Sequence, residues 1–236
     1  MSARPVFTGI VDMHHADGSY DLDEVRRGGV AALWHKATEG VTYKDRGFWT
    51  AMDRAGKAGL LRGAYHFASG TSDAVAQADE FLSVVGALVQ PTDDVLLALD
   101  LEGGLDEPET MKTPDAARFV ERIRAKTGRW PVLYAGASKT RERWRRDPEA
   151  LMRLRHCHLW LAQYGEMPTP GGIPDVWPDW TLWQYTNGKE GPHDRIAFPR
   201  KTPGFTREAQ DRSAWRGTAD ELRAWWLSCG RDLAVP

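Results

Sequence analysis

Short apolar runs recur along the chain at residues 7–13, 30–36, 62–68, 95–102, 130–135, 158–164 and 181–186. Each is bounded by polar or Gly-containing segments and is too short for a core helix, so each reads as a strand. Between several of them the apolar positions return at helical spacing. Residues 46–58 form one such stretch, closed by Gly59; residues 72–88 form another, opened by a Ser72 cap; residues 113–127 have Pro114 at the first helical position and Gly128 after the end. Thr218-Ala219-Asp220-Glu221-Leu222 reads as a capping box leading into a short helix that ends near Ser228. Strand, helix, strand in alternation predicts an α/β fold with a parallel sheet covered by helices. With about eight strands, closure into an irregular TIM-like barrel removes the sheet edges. The irregularity is expected in the last third, where long loops run over 165–179, with four Pro and three Gly, and over 187–206. No internal repeat or low-complexity linker divides the chain. The expectation is one domain over 1–236, with its core at about 5–228 and no second module.

Composition narrows the class without naming a function. Hydrophobic residues make up 42% and charged residues 27% of the 236, which suits a globular chain. A formal net charge of -2 offers no general attraction for nucleic acid. No apolar run reaches the roughly 18 residues needed to cross a bilayer, so no integral membrane segment is expected. The start, Met-Ser-Ala-Arg-Pro-Val-Phe, lacks the apolar stretch of a secretory signal, and any export is expected to use another route. Cys157 and Cys229 are too few for a disulfide framework and read as free thiols. Eleven Trp is far above ordinary usage; most must pack in the core, but flat faces with a polar edge also suit sugar rings.

The chemistry gathers where strands end. In 95–102, alternate side chains share a face, so Asp100 and Glu102 point the same way as Leu96 and Ala98, just before Gly103-Gly104. Neighbouring negative charge and partial burial each raise a carboxyl pKa, which lets one acid keep its proton while its partner is charged. In a parallel barrel the C-terminal strand ends carry the chemistry. Those ends supply Asp12 with His14 and His15, then Lys36 and Glu39, Tyr65, His66 and Phe67, Asp100 and Glu102, Tyr134, Gln163 and Tyr164, and Gln184. Such an acidic, aromatic rim suits a carbohydrate, with Tyr65, Tyr134 and Tyr164 lining it. Metal spacing is absent: no H-x-x-x-H or Cys/His cluster occurs, although His14, His15 and His66 could meet at the barrel top and His156 and His158 could share a strand face. No metal and no cofactor are expected. The basic stretch 139–146 reads as a solvated helix face that could also attract an anionic envelope polymer.

These segments together resemble the glycoside hydrolase family 25 lysozymes, the N-acetylmuramidases. Gly9-Ile10-Val11-Asp12 resembles the family's G-I-D opening, Lys36-Ala37-Thr38-Glu39-Gly40 its K-A-T-E-G and Gly63-Ala64-Tyr65-His66-Phe67 its G-x-Y-H-F. Asp100-Leu101-Glu102 resembles its D-x-E, Trp160-Leu161-Ala162-Gln163-Tyr164 its W-x-A-x-Y and Trp183-Gln184-Tyr185-Thr186 its W-Q-Y-T, in family order. The resemblance implies hydrolysis of the β-1,4 bond between N-acetylmuramic acid and N-acetylglucosamine in peptidoglycan glycan strands. Glu102 would be the general acid, Asp100 would orient the substrate acetamido group, and Asp12 would shape the polar floor. Retention of configuration would follow, an inverting scheme being the alternative. A fourth acid is expected in a segment resembling V-D-x-N-x-F-x-G. Gln210-Asp211-Arg212-Ser213-Ala214-Trp215-Arg216-Gly217 aligns with it, departing at Gln210 and Ser213; Asp211 and Asp194 are the two choices. The His14-His15 pair also departs from the family's small polar residue after the first acid. Action on the cell wall or periplasm, as a monomer released by a holin pore, a secretion apparatus or a phage particle, is what the resemblance suggests. A chitinase-like hydrolase and a catalytically idle glycan-binding barrel are the rival functions, since fold does not guarantee activity.

Overall fold

Every apolar run expected to be a strand is one in the computed structural model, which describes residues 5–88, 95–165, 173, 175–192, 197–207 and 210–229. The strands are β1 (Phe7–Met13), β2 (Ala32–Glu39), β3 (Tyr43–Lys44), β4 (Leu61–Phe67), β5 (Val95–Asp100), β6 (Val132–Gly136), β7 (Leu159–Ala162), β8 (Leu182–Asn187) and β9 (Asp211–Trp215). The helices are α1 (Leu22–Arg27), α2 (Phe48–Lys57), α3 (Ala74–Val85), α4 (Thr113–Thr127), α5 (Ala137–Arg146), α6 (Pro148–Leu154) and α7 (Ala219–Ser228). The sheet runs β1-β9-β8-β7-β6-β5-β4-β2 and returns on itself by pairing β1 with β2, while β3 only adds a hairpin to the end of β2. The barrel is closed but irregular, because β9 lies antiparallel to both β1 and β8.

Strand alternation sorts the apolar residues into two layers. Ile10, Ala32, Trp34, Leu61, Leu96, Ala98, Val132, Trp160 and Leu182 fill the barrel, and the residues between them, such as Val11, Leu33, Leu97, Leu133 and Leu161, pack with the helices. Trp34 is fully buried and lies 5.0 Å, ring to ring, from both Trp160 and Trp226. Gly63 makes room for it: a Cβ there would sit 2.1 Å from Trp34 Cε3. Helix α7 closes the N-terminal end of the barrel by inserting Leu222 and Trp226, whose Nε1 donates to Arg62 O at 3.0 Å. Trp225 is half-buried, as a one-faced helix predicts, but Trp226 is wholly enclosed. Trp226→Ala is therefore expected to destabilise the fold by about 3–5 kcal/mol in a urea titration. A loss below about 1 kcal/mol would mean that α7 is not the plug.

The helices expected from the sequence form, with local corrections, and α1 and α6 add to them. Helix α4 has Pro114 in its first turn and ends at Gly128 with φ 73°, and α7 carries the full Thr218/Glu221 capping box. The cap of α3 is Asp73 rather than Ser72, its carboxylate accepting from Val75 N and Ala76 N. In α5, Arg146 is exposed and paired with Asp106 and Glu142, but Arg143 is buried and donates to Met111 O at 3.0 Å, so the basic stretch is not uniformly solvated. Both cysteines are free thiols. In the long loops, Trp177 and Trp180 are buried, while residues 166–172, 174 and 193–196 lie outside the described residues.

Candidate active site

The inward parity of each strand carries on to its C-terminal end, and there the filling changes from apolar to polar. Above Ile10 comes Asp12; above Trp34, Lys36; above Gly63, Tyr65; above Val132, Tyr134; above Leu182, Gln184. On β5 the series Leu96, Ala98, Asp100 runs past the strand to Glu102, whereas Leu101 turns into the helix-facing core. Strand β9, running the other way, contributes its first residue, Asp211, which pairs with Asp12 across the ladder. Beneath it, Ser213 Oγ accepts from Trp160 Nε1 at 2.9 Å. Asp12, Lys36, Tyr65, Asp100, Glu102, Tyr134, Gln184 and Asp211 thus line one cleft of about 230 Å³, together with His14, Phe67 and Trp160.

Gly103 allows this arrangement directly after the acid pair. Its φ of +83° lies in the left-handed region, and a Cβ would stand 2.1 Å from Thr110 Oγ1, so the loop could not fold back with a larger residue. Gly104 N then donates to Glu107 Oε2 at 2.9 Å.

A buried chain of hydrogen bonds fixes the floor. Tyr134 Oη donates to Gln184 Oε1 at 2.8 Å, and Gln184 Nε2 donates to both Asp12 oxygens at 3.0 and 3.1 Å. Burial pushes Asp12 well above the usual carboxylate range, Asp211 adds to the rise and the Gln184 bond opposes it. Burial likewise raises Asp100 strongly, with Glu102 and Asp12 adding repulsion and Lys36 opposing. One Asp100 oxygen, Oδ1, is buried with no hydrogen-bond partner among the described residues, which favours the neutral acid. Glu102 is more open to the cleft; partial burial raises it, and Tyr134 and Lys36 hold it down. Both carboxyl groups are held above their ordinary range, Asp100 being the deeper of the two, so the pair titrates together.

Asp211 is pushed up to about 7 by burial and by Asp17, against the pull of Arg207, which pairs with Asp17. Because its folded pKa is raised, the folded chain binds this proton more tightly than the unfolded one. Its favourable contribution is present at acid pH and is lost as pH rises from about 4 to about 7. Asp211→Asn is expected to raise the melting temperature at pH 7 by roughly 2–4 °C for each kcal/mol of repulsion released, and to change it little near pH 4. Equal shifts at both pH values would rule this out.

Tyr164 stands beside the cleft, more than a third exposed, close enough to Asp211, Glu102 and Asp12 for its hydroxyl to be raised to about 12, with burial the main cause. Asp194 lies outside the described residues. His66 does not join His14 and His15. It points into the helix layer, between Thr38 Oγ1 at 2.8 Å and Gln77 Oε1 at 3.0 Å, and burial lowers it to about 4. His156 stacks on Trp130 and His158 packs against Trp225, so neither faces the cleft. Lys36, Phe67 and Trp160 are the lining residues to which the sequence reading gave no role. Lys36 was within reach of it, two positions beyond Trp34 on the same face.

The profile of Glycosyl hydrolases family 25 matches residues 11–193. The chain belongs to glycosyl hydrolase family 25. The matched region contains Asp12, Asp100 and Glu102, whereas Asp211 lies beyond it and is placed by the β1–β9 pairing. Among family relatives, Lysozyme M1 of Streptomyces globisporus is 33% identical over 204 residues, covering 80% of this chain and 66% of that protein. The N,O-diacetylmuramidase of Arthroderma benhamiae is 30% identical over 170 residues, covering 70% of each. The solved bacterial lysozyme from Streptomyces coelicolor superposes with a TM-score of 0.76 at 28% identity, over 97% of this chain and 100% of that one. This family 25 chain therefore has the fold anticipated from its strand pattern. No helix among the described residues is long and apolar enough to cross a membrane.

Proposed function

We propose that this chain is a muramidase that hydrolyses the β-1,4 bond from N-acetylmuramic acid to N-acetylglucosamine in peptidoglycan. The observation that carries the reading is the acid pair at the end of β5, Asp100 buried and Glu102 open, in a cleft whose far wall holds Asp12 and Asp211. Glu102 gives its proton to the departing glycosidic oxygen, a step typically worth 10²- to 10⁴-fold in rate. Asp100 orients the acetamido group of the muramic acid so that its carbonyl oxygen attacks the anomeric carbon as that bond breaks. Water then opens the resulting ring and returns a proton to Glu102, retaining configuration. Asp12, held by Gln184, keeps the floor polar. Tyr65, Tyr134 and Tyr164 offer faces and hydroxyls to the sugars. The protein works as a monomer on the cell wall, delivered by a holin pore, a secretion apparatus or a phage particle.

Digestion of purified wall is expected to leave new reducing ends on N-acetylmuramic acid, with the β-anomer forming first in the NMR spectrum. Reducing ends on N-acetylglucosamine, turnover of chitin oligomers in preference to peptidoglycan, or glycan binding with no cleavage would each overturn the assignment.

A further inference from the structure

A second cluster of ligating side chains stands on the rim of the cleft. The turn after β1 brings His14 and His15 to Asp45, just beyond β3, and one ligand atom from each lies within 4.8 Å of the others. His15 Nδ1 is 2.8 Å from Asp45 Oδ2, and Tyr43 Oη is 3.1 Å from the first and 3.4 Å from the second. Donors bound tetrahedrally to one Zn²⁺ at about 2.0–2.2 Å stand about 3.3–3.6 Å apart, so His14 must rotate inward to close the triplet. The His14 side chain is 43% exposed, and among the described residues only two long polar contacts oppose that rotation, Nε2 to Asp17 Oδ1 at 3.6 Å and Ala16 N to Nδ1 at 3.4 Å. Asp45 is fixed in advance: its side chain is fully buried, Gly47 N donates to Oδ1 at 2.8 Å and His15 N to Oδ2 at 3.2 Å. The backbone of His14 is held as well, its N–H donating to Asp17 Oδ2 at 2.7 Å. Such hydrogen bonding orients ligands before an ion arrives. Among the described residues no other group of three His, Cys, Asp or Glu converges in this way. The glycosidase chemistry does not require His15, Tyr43 or Asp45.

We infer that His14, His15 and Asp45 form a binding site for a late first-row divalent metal ion, with Zn²⁺ the best fit. Two imidazoles and a carboxylate suit such an ion, and Tyr43 Oη or water completes the coordination. Binding ties His14, a wall residue of the cleft, to a fixed point. The spacing rules of sequence motifs miss this site because its carboxylate comes from beyond the following strand pair.

The test titrates the full chain with Zn²⁺ against a chromophoric chelator, and with Co²⁺ by visible absorption. One ion per chain at micromolar concentration is expected, with an intense Co²⁺ band. His14→Ala and His15→Ala should each weaken binding at least tenfold, whereas His156→Ala should leave it unchanged. His14 is exposed and outside the core, so its variant folds and the comparison does not depend on the less exposed His15; circular dichroism checks both. Affinity unaltered by His14→Ala and His15→Ala, or no saturable binding below millimolar Zn²⁺, overturns the inference.

Discussion

Glu102→Gln lowers kcat on peptidoglycan by about 10²- to 10⁴-fold and leaves binding of the glycan nearly unchanged. Glutamine keeps the size and hydrogen-bonding capacity of the side chain at the end of β5, so the cleft retains its shape. What it lacks is an acidic proton for the leaving oxygen. The loss therefore falls on the transition state and not on the ground state, and kcat drops with KM held. Steady-state release of reducing ends, with sedimentation of wall-bound protein as the affinity measure, separates the two. A variant with turnover within about tenfold of the parent would remove Glu102 from the role of acid.

Asp100→Asn is the second large effect, about 10²- to 10³-fold in kcat, the size seen when one pre-set electrostatic partner of a transition state is removed. It also carries a signature that mere loss of packing would not produce. Glu102 raises the proton affinity of Asp100, so the pair ionises in two steps. Without Asp100 the upper step of the pair is gone and only the step of Glu102 remains. The alkaline limb of the pH–rate profile accordingly moves to lower pH. A profile that keeps its alkaline limb in place while the rate falls would show that the two carboxyl groups do not share a titration.

Much of the barrel and most of the cleft were legible in the chain. The apolar runs gave seven strands of the barrel, and the parity of 95–102 gave the shared face of Asp100 and Glu102. The strand at Asp211–Trp215 was not read as one, and its residues explain why. Arg212 and Ser213 are buried, which no alternation pattern forecasts. Arg212 is accommodated by Lys201 O at 2.7 Å, Thr202 Oγ1 and Thr8 O, and Ser213 by Trp160 Nε1. Partners across a loop, as Lys201 and Thr202 are, or far along the chain, as Thr8 and Trp160 are, leave no trace in a strand's alternation. The proton balance between Asp100 and Glu102 was hidden for a similar reason, because depth below the rim depends on the closed sheet and not on spacing. Arg143 escaped notice in a run of charges, since only the fold reveals which side of α5 is covered.

Because β9 slots between β1 and β8, Asp211 meets Asp12 only when segments from opposite extremes of the described chain have joined. A nascent polypeptide leaving the ribosome thus holds Asp12, Asp100 and Glu102 long before it owns a finished catalytic floor. The pairing of β9 with β1 and β8, and with it the meeting of Asp12 and Asp211, can form only once synthesis has passed Trp215.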